Sequence, residues 1–211
     1  MDFNEEASFV EFLPSVDVLF VHYNIKYFSG ILAEHCKVEW SNRMTLCAGI
    51  CYFECTKAQK GCIIRLSRPL LQLRPFKDTI NTLLHEMIHA YLFLTTRRNH
   101  SREGHGEPFL DHMRIINAAE GTDITVYHGF KDEVRFHRKH SWRCNGPCRN
   151  RHPFFGWVHR AKNRAPQPAD WWWSEHLKTC GGTFFKIDRL GVQTLSANIK
   201  DPDSEKYIII D

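Results

Sequence analysis

No apolar run in this chain of 211 residues approaches the length of a bilayer span, because charged side chains interrupt every such stretch. The first eleven residues, Met1 to Glu11, are acidic and have no apolar core of the kind a secretory leader needs, so none is expected. Without an oxidising destination, a disulfide framework for the eight cysteines is not expected either. Internal repeats and low-complexity segments are also missing, which excludes solenoids and disordered tails as the main architecture. Two local absences matter more. Ile80 to Leu94 contains no Gly or Pro, and Arg135 to Arg164 contains no Asp or Glu.

The first of these stretches is helical by pattern. Ile80, Leu83, Leu84, Met87, Ile88, Tyr91 and Leu92 recur at intervals of three and four, as on the buried face of a helix. Pro75 precedes it, and Asp78 or Thr79 stands near its first turn. Within it lies His85-Glu86-Met87-Ile88-His89, an H-E-x-x-H sequence. Four residues advance slightly more than one helical turn, so His85 and His89 share a face and can share a metal. Glu86 is then placed to act on a water beside that metal rather than to bind it, the arrangement of a zinc hydrolase.

A catalytic zinc usually takes three protein ligands and keeps a fourth position for water. His105 is the preferred third ligand, because it opens a second apolar-periodic segment, Phe109 to Ile116, and is flanked by glycines that admit close backbone approach. His100, in the middle of the polar loop, would be poorly held, and His112 reads as a packed or supporting histidine. Leu92 and Thr95 stand where a compact metzincin pattern would need Gly and His. The ten-residue loop Thr95 to Gly104 is long for a link between packed helices, so it is expected to be functional or mobile.

Upstream, a helix is expected from about Asp17 to Phe28, followed by strands near Val38, Leu46 to Phe53 and Cys62 to Leu66. Cys47, Cys51 and Cys55 alternate on one side of such a strand and read as buried thiols in a β-hairpin. Ile124 to Tyr127 reads as another short strand. Helices on a small sheet give an α+β domain.

Beyond about Phe136 the composition changes. Cys144-x3-Cys148 and His176-x3-Cys180 are two ligand pairs separated by 27 residues, the makings of a closed, structural zinc site. The segment is too polar to fold alone, so metal binding is expected to supply much of its stability. From Arg135 to Arg164 there are nine basic residues, interleaved and followed by Trp142, Phe154, Phe155, Trp157 and Trp171-Trp172-Trp173. Cations that follow a phosphate backbone, with rings on which unpaired bases stack, suit single-strand binding with little sequence preference. The whole-chain charge of +4 conceals this local concentration.

Four ordered segments, Thr82 to Phe93, Arg102 to Gly106, Trp142 to Cys148 and Glu175 to Gly182, together resemble the SprT-like proteases. The nearest resemblance is to those of the Spartan type, DNA-dependent metalloproteases that remove DNA–protein crosslinks. Met44 to Gly49 and Arg65 to Leu71 fit the same family, and the likeness runs roughly from Leu13 to Lys186. It implies a zincin-like SprT metalloprotease domain over residues 1–134, a small zinc-binding, DNA-contacting β-rich module over 135–190, and a tail or linker over 191–211. It also implies two zinc ions: a catalytic one on His85, His89 and His105 with Glu86 as base, and a structural one on Cys144, Cys148, His176 and Cys180. Phe154, where a tyrosine is common, Arg160 and Trp172 match the positions with which that module contacts DNA. The expected partners are single-stranded or junction DNA and the proteins crosslinked to it, with no membrane. The enzyme is expected to act as a monomer, in the nucleus on chromatin, with self-cleavage in trans as its means of shutting off. Nothing resembling a ubiquitin-binding zinc finger or a sliding-clamp motif is present, and Ser196 to Asp211 reads as linker plus a short apolar end.

Overall fold

A computed structural model describes residues 15–55, 60–96, 104–127, 129–188, 193–194 and 207–208. The chain divides into two compact units, residues 1–131 and 132–211. Among the described residues no helix is long and apolar enough to cross a membrane.

The first unit opens with α1 (Val16–Tyr27), whose amino end is capped by the Ser15 hydroxyl accepting from the Val18 N–H at 3.3 Å. It buries Val16, Leu19, Phe20, Tyr23 and Asn24. The Asn24 amide oxygen accepts from the Leu32 N–H at 3.0 Å, tying the following turn and the short α2 (Leu32–His35) to α1. Three strands follow, β1 (Cys36–Ser41), β2 (Gly49–Cys55) and β3 (Lys60–Ser67), in the order β1-β3-β2. β1 runs parallel to the central β3 and β2 antiparallel to it, so β2 is an edge strand. After the single turn α3 (Arg68–Leu71) comes α4 (Phe76–Thr95), which packs on β2 and β3. Leu83, Leu84, Met87 and Ile88 are wholly buried there, as their spacing predicts. α5 (Glu107–Glu120) packs on α4; it begins after Gly106, with Pro108 in its first turn, and ends at Gly121 in the left-handed region, φ 62°.

Two sequence expectations fail here. Ile124 to Tyr127 is not a strand, because the Asn117 side chain satisfies the backbone groups that a neighbouring strand would have taken. Its amide nitrogen donates to the Ile124 carbonyl at 2.9 Å, and its oxygen accepts from the Ile124 N–H at 2.8 Å and from the Thr122 hydroxyl at 2.9 Å. The expected row of buried thiols also shifts. β2 begins at Gly49, so Cys47 lies before it and is exposed, Cys51 is half-buried, and among the described residues of this unit the buried cysteines are Cys36 and Cys62, register partners across β1 and β3. The Cys55 side chain, His100 and most of the loop from Thr95 to Gly104 lie outside the described residues.

The second unit takes in α6 (Lys131–His137) from its second residue, then β4 (His140–Cys144), a 3-10 turn (Pro147–Asn150), β5 (Trp157–Arg160), α7 (Trp173–Thr179) and β6 (Phe184–Ile187). Two-residue strands β7 (Gln193–Thr194) and β8 (Tyr207–Ile208) extend an antiparallel sheet of order β5-β4-β6-β7-β8. Trp142 and Cys144 on β4, an interior strand between β5 and β6, are buried. The fold is therefore α+β, with helices on a small sheet followed by a β-rich module.

Candidate metal centres

α4 and the entry to α5 bring three imidazoles together. The Nε2 atoms of His85, His89 and His105 stand 3.1, 3.1 and 3.2 Å apart. Nitrogens bound to a tetrahedral zinc at the usual length of about 2.0–2.1 Å lie roughly 3.3 Å from one another, so the spacing fits that ion. The carbonyl of Thr125 stands 3.0 Å from His85 Nδ1 and can only accept, so Nδ1 carries the proton and Nε2 presents its lone pair to the cluster. Burial pushes the His105 pKa below the ordinary imidazole value, which also favours the neutral, ligating form. Phe109 lies against all three rings, at centroid distances of 4.7–4.8 Å, and is buried. His112 is elsewhere, packed on Phe28 and Tyr91.

Glu86 is 4% exposed. Burial raises its carboxyl to about 8, tempered by a hydrogen bond from the Cys51 backbone on β2. The close approach of strand and helix at this point depends on Gly49. A Cβ there would stand 2.7 Å from Thr82 Cγ2 and 2.8 Å from both Glu86 Cγ and Oε1, closer than real carbon contacts come.

In the second unit Cys144, Cys148, His176 and Cys180 offer one ligand atom each, all within 4.8 Å of one another. The Sγ atoms of Cys144 and Cys180 are 3.7 Å apart, and His176 Nε2 is 3.4 Å from Cys144 Sγ and 3.8 Å from Cys148 Sγ. Tetrahedral zinc with ordinary bond lengths calls for S–S edges of roughly 3.8 Å and S–N edges of roughly 3.6 Å, so this cluster fits too. Backbone N–H groups of Gly146 and Cys148 donate to the sulfurs of Cys144 and Cys180 at 3.3 Å, which stabilises thiolates. Among the described residues, these two groups are the ones able to hold a metal.

Beside the second cluster lies a groove of about 550 Å³ whose lining includes Arg138, Arg151, Phe154, Trp157, Trp171 and Trp172. Phe154 is 75% and Trp171 92% exposed, whereas Trp172 packs edge-on against His176 and Phe184. Arg160 is absent from that lining. Its Nη2 donates to Asp170 at 2.7 Å, while its Nη1 is buried without a protein partner.

Residues 16–128 match the SprT-like family, and residues 139–186 match the Spartan-like zinc binding domain. The chain belongs to the SprT-like family. It is 55% identical over 175 residues to the DNA-dependent metalloprotease dvc-1 of Caenorhabditis elegans, covering 82% of this chain and 47% of that protein. Against the DNA-dependent metalloprotease SPRTN of Homo sapiens it is 57% identical over 176 residues, covering 82% of this chain and 35% of the relative. For the Bos taurus SPRTN the identity is 58% over 174 residues, with coverage of 82% and 35%. The chain thus spans between about a third and a half of the length of these relatives.

Within this SprT-like frame, sequence reasoning missed several contributors. Gly49 fell inside a recognisable segment, Met44 to Gly49, but its partner across the strand–helix contact could not be read from spacing. Phe109 looked like an ordinary core position. Thr125 carries no signal at all, since its backbone carbonyl does the orienting. In the zinc module, Trp171 and Arg138, which the sequence places only in the general basic and aromatic cluster, line the groove with Phe154 and Trp172, two of the three positions singled out by resemblance.

Proposed function

We propose that this chain is a DNA-dependent zinc metalloendopeptidase that cleaves proteins crosslinked to or tightly bound on DNA. One observation carries the reading: three imidazole nitrogens converge beside a buried carboxylate that the following residue supplies. His85, His89 and His105 would hold the catalytic zinc, and Cys144, Cys148, His176 and Cys180 a second, structural one. Zinc, when bound, supplies Lewis-acid chemistry, acidifying a water and polarising the scissile carbonyl.

Glu86 supplies the proton transfers. Its carboxyl at about 8 in the absence of metal is within reach of neutrality, and a neighbouring cation draws it down toward the base form. It takes the proton from the attacking water and returns it to the leaving amine. The Cys51 backbone and the tight fit against Gly49 fix the carboxylate so that it need not reorganise between these steps. Thr125 holds His85 in the ligating tautomer.

The groove of the second unit would bind single-stranded or distorted DNA, with bases stacking on Phe154 and Trp172, and Arg160, held by Asp170 outside that lining, would add a polar contact beyond it. Holding the enzyme on DNA raises the effective concentration of protein attached to the same strand. A protease of this kind, indifferent to side chains, is safe in a nucleus only if DNA gates it. The same reading expects the chain to act on chromatin as a monomer, with self-cleavage in trans as its shut-off.

The test is cleavage of a histone with and without single-stranded DNA, alongside Glu86→Gln. Cleavage that requires both DNA and Glu86 is the expected result. Glu86-dependent cleavage that ignores DNA would reduce the second unit to a structural part. No cleavage by zinc-loaded protein under any DNA condition would leave a DNA-binding adaptor.

A further inference from the structure

Between Arg160, at the end of β5, and α7 the chain crosses twelve residues without regular structure, the last two being Trp171 and Trp172 of the groove. One side chain organises the crossing. The Asp170 carboxylate is 8% exposed and accepts from Arg160 Nη2 at 2.7 Å, Arg164 Nη2 at 2.5 Å and the Gln167 N–H at 2.8 Å. Its backbone is equally engaged: the Asp170 N–H donates to the Gln167 carbonyl and the Asp170 carbonyl accepts from the Trp173 N–H, each at 2.9 Å. Trp171 and Trp172, the next two residues, both line the groove.

We propose that Asp170 is a positioning residue of the DNA groove. Its buried carboxylate locks the crossing segment so that Trp171 and Trp172 form a wall for stacked bases, and it withdraws the Arg164 guanidinium from phosphate binding. The inference rests on the DNA-binding reading above. Two physical arguments support it. A turn closed by a carboxylate with three donors is far stiffer than its composition suggests, and stacking gains from a wall ordered before the ligand arrives. Secondly, a guanidinium already neutralised by a carboxylate releases few counterions when a phosphate approaches, so it adds little to salt-dependent affinity. Burial alone would raise the Asp170 carboxyl, but the Arg160, Gln167 and Arg164 hydrogen bonds outweigh it and hold it at about 2, so the lock stays charged at any physiological pH.

The experiment uses the full chain carrying Glu86→Gln, to prevent self-cleavage, and a fluorescent homopyrimidine oligonucleotide. Binding is followed by anisotropy across salt concentrations, and stacking by quenching of tryptophan emission. Asp170→Asn is expected to lose about tenfold in affinity at high salt, where stacking dominates, and to lose much of the quenching. Its plot of log affinity against log salt should steepen by about 0.7, the contribution of one freed cation on a single strand. Asp170→Glu, which keeps the charge, should return the slope toward the parent value. Zinc content equal to the parent's certifies the fold. Should Asp170→Asn lose its zinc, Arg164→Gln decides: an unchanged salt slope supports the assignment, and a slope shallower by about 0.7 overturns it. Parent-like slope and quenching in Asp170→Asn would overturn the role of Asp170 alone. Failure of the parent chain to bind the oligonucleotide would overturn the DNA-binding reading itself.

Discussion

In the first unit three imidazole nitrogens stand 3.1–3.2 Å apart, and a buried carboxylate belongs to the residue next to one of them. In the second, three thiols and an imidazole surround one point, and backbone N–H groups donate to the sulfurs. Three neutral ligands leave a coordination position and the full cationic charge for chemistry; three thiolates with an imidazole use up both. Glycines are used differently as well. Gly49 lets a strand approach Glu86, whereas a Cβ on Gly182 would stand 2.5 Å from Cys144 Sγ, so that glycine clears room for a ligand. The first site spends its tight packing on a base, the second on the metal itself.

The sharpest way to break this comparison is to remove a thiolate. Cys180→Ser should unfold the second unit at ambient temperature, since structural zinc contributes on the order of 10 kcal/mol to such modules. Near-UV circular dichroism and zinc content would register it, and a module that stays folded with one metal fewer would end the structural assignment. Next in size is Glu86→Gln. Cleavage of DNA-bound histone in single-turnover assays should fall by about 10³-fold or more, roughly 4 kcal/mol, with zinc content unchanged.

A third prediction concerns pH. With metal removed, Glu86 keeps its proton in the folded state up to about 8, while the unfolded chain releases it near the ordinary glutamate value. The folded state then binds more protons than the unfolded one across that window, so stability falls as pH rises. Relative to Glu86→Gln, the metal-free parent should lose about 4 kcal/mol between pH 4.5 and 8, measured by urea unfolding. Equal pH slopes for the two proteins would mean that Glu86 is not desolvated. The smallest effect is that of Gly49→Ala. Overpacking against Thr82 and Glu86 should cost about 1–2 kcal/mol of stability and lower cleavage about tenfold by displacing the base. Thermal melting and the histone assay measure the two parts separately.

Much of both centres was legible because periodicity and ligand spacing are local. The apolar repeat from Ile80 to Leu92 marks α4, and the paired Cys-x3-Cys and His-x3-Cys spacings mark the second cluster before any fold is known. What escaped is non-local. Ile124 to Tyr127 reads as a strand because nothing in the sequence reveals that Asn117 bonds the Ile124 backbone. The parity of Cys47, Cys51 and Cys55 pointed to buried thiols, but parity does not say where a strand begins, and β2 begins at Gly49. The nine cations end at Arg164, six residues short of the aspartate that pairs with two of them and offsets one charge, while Arg135 also pairs with Asp132 at 3.1 Å, just upstream of that stretch.

The loop that Asn117 holds has a mechanical consequence. His105 enters α5, and Thr125, which orients His85, follows it on the stretch that Asn117 fastens back to the same helix. Two of the three imidazoles therefore take their bearings from one continuous piece of chain. If α5 slides along α4, a ligand and the carbonyl that steers another ligand travel in step. Small drifts of this kind act on the centre as a whole rather than on one bond at a time, and a substitution on the outer surface of α5 reaches it only by moving that whole piece.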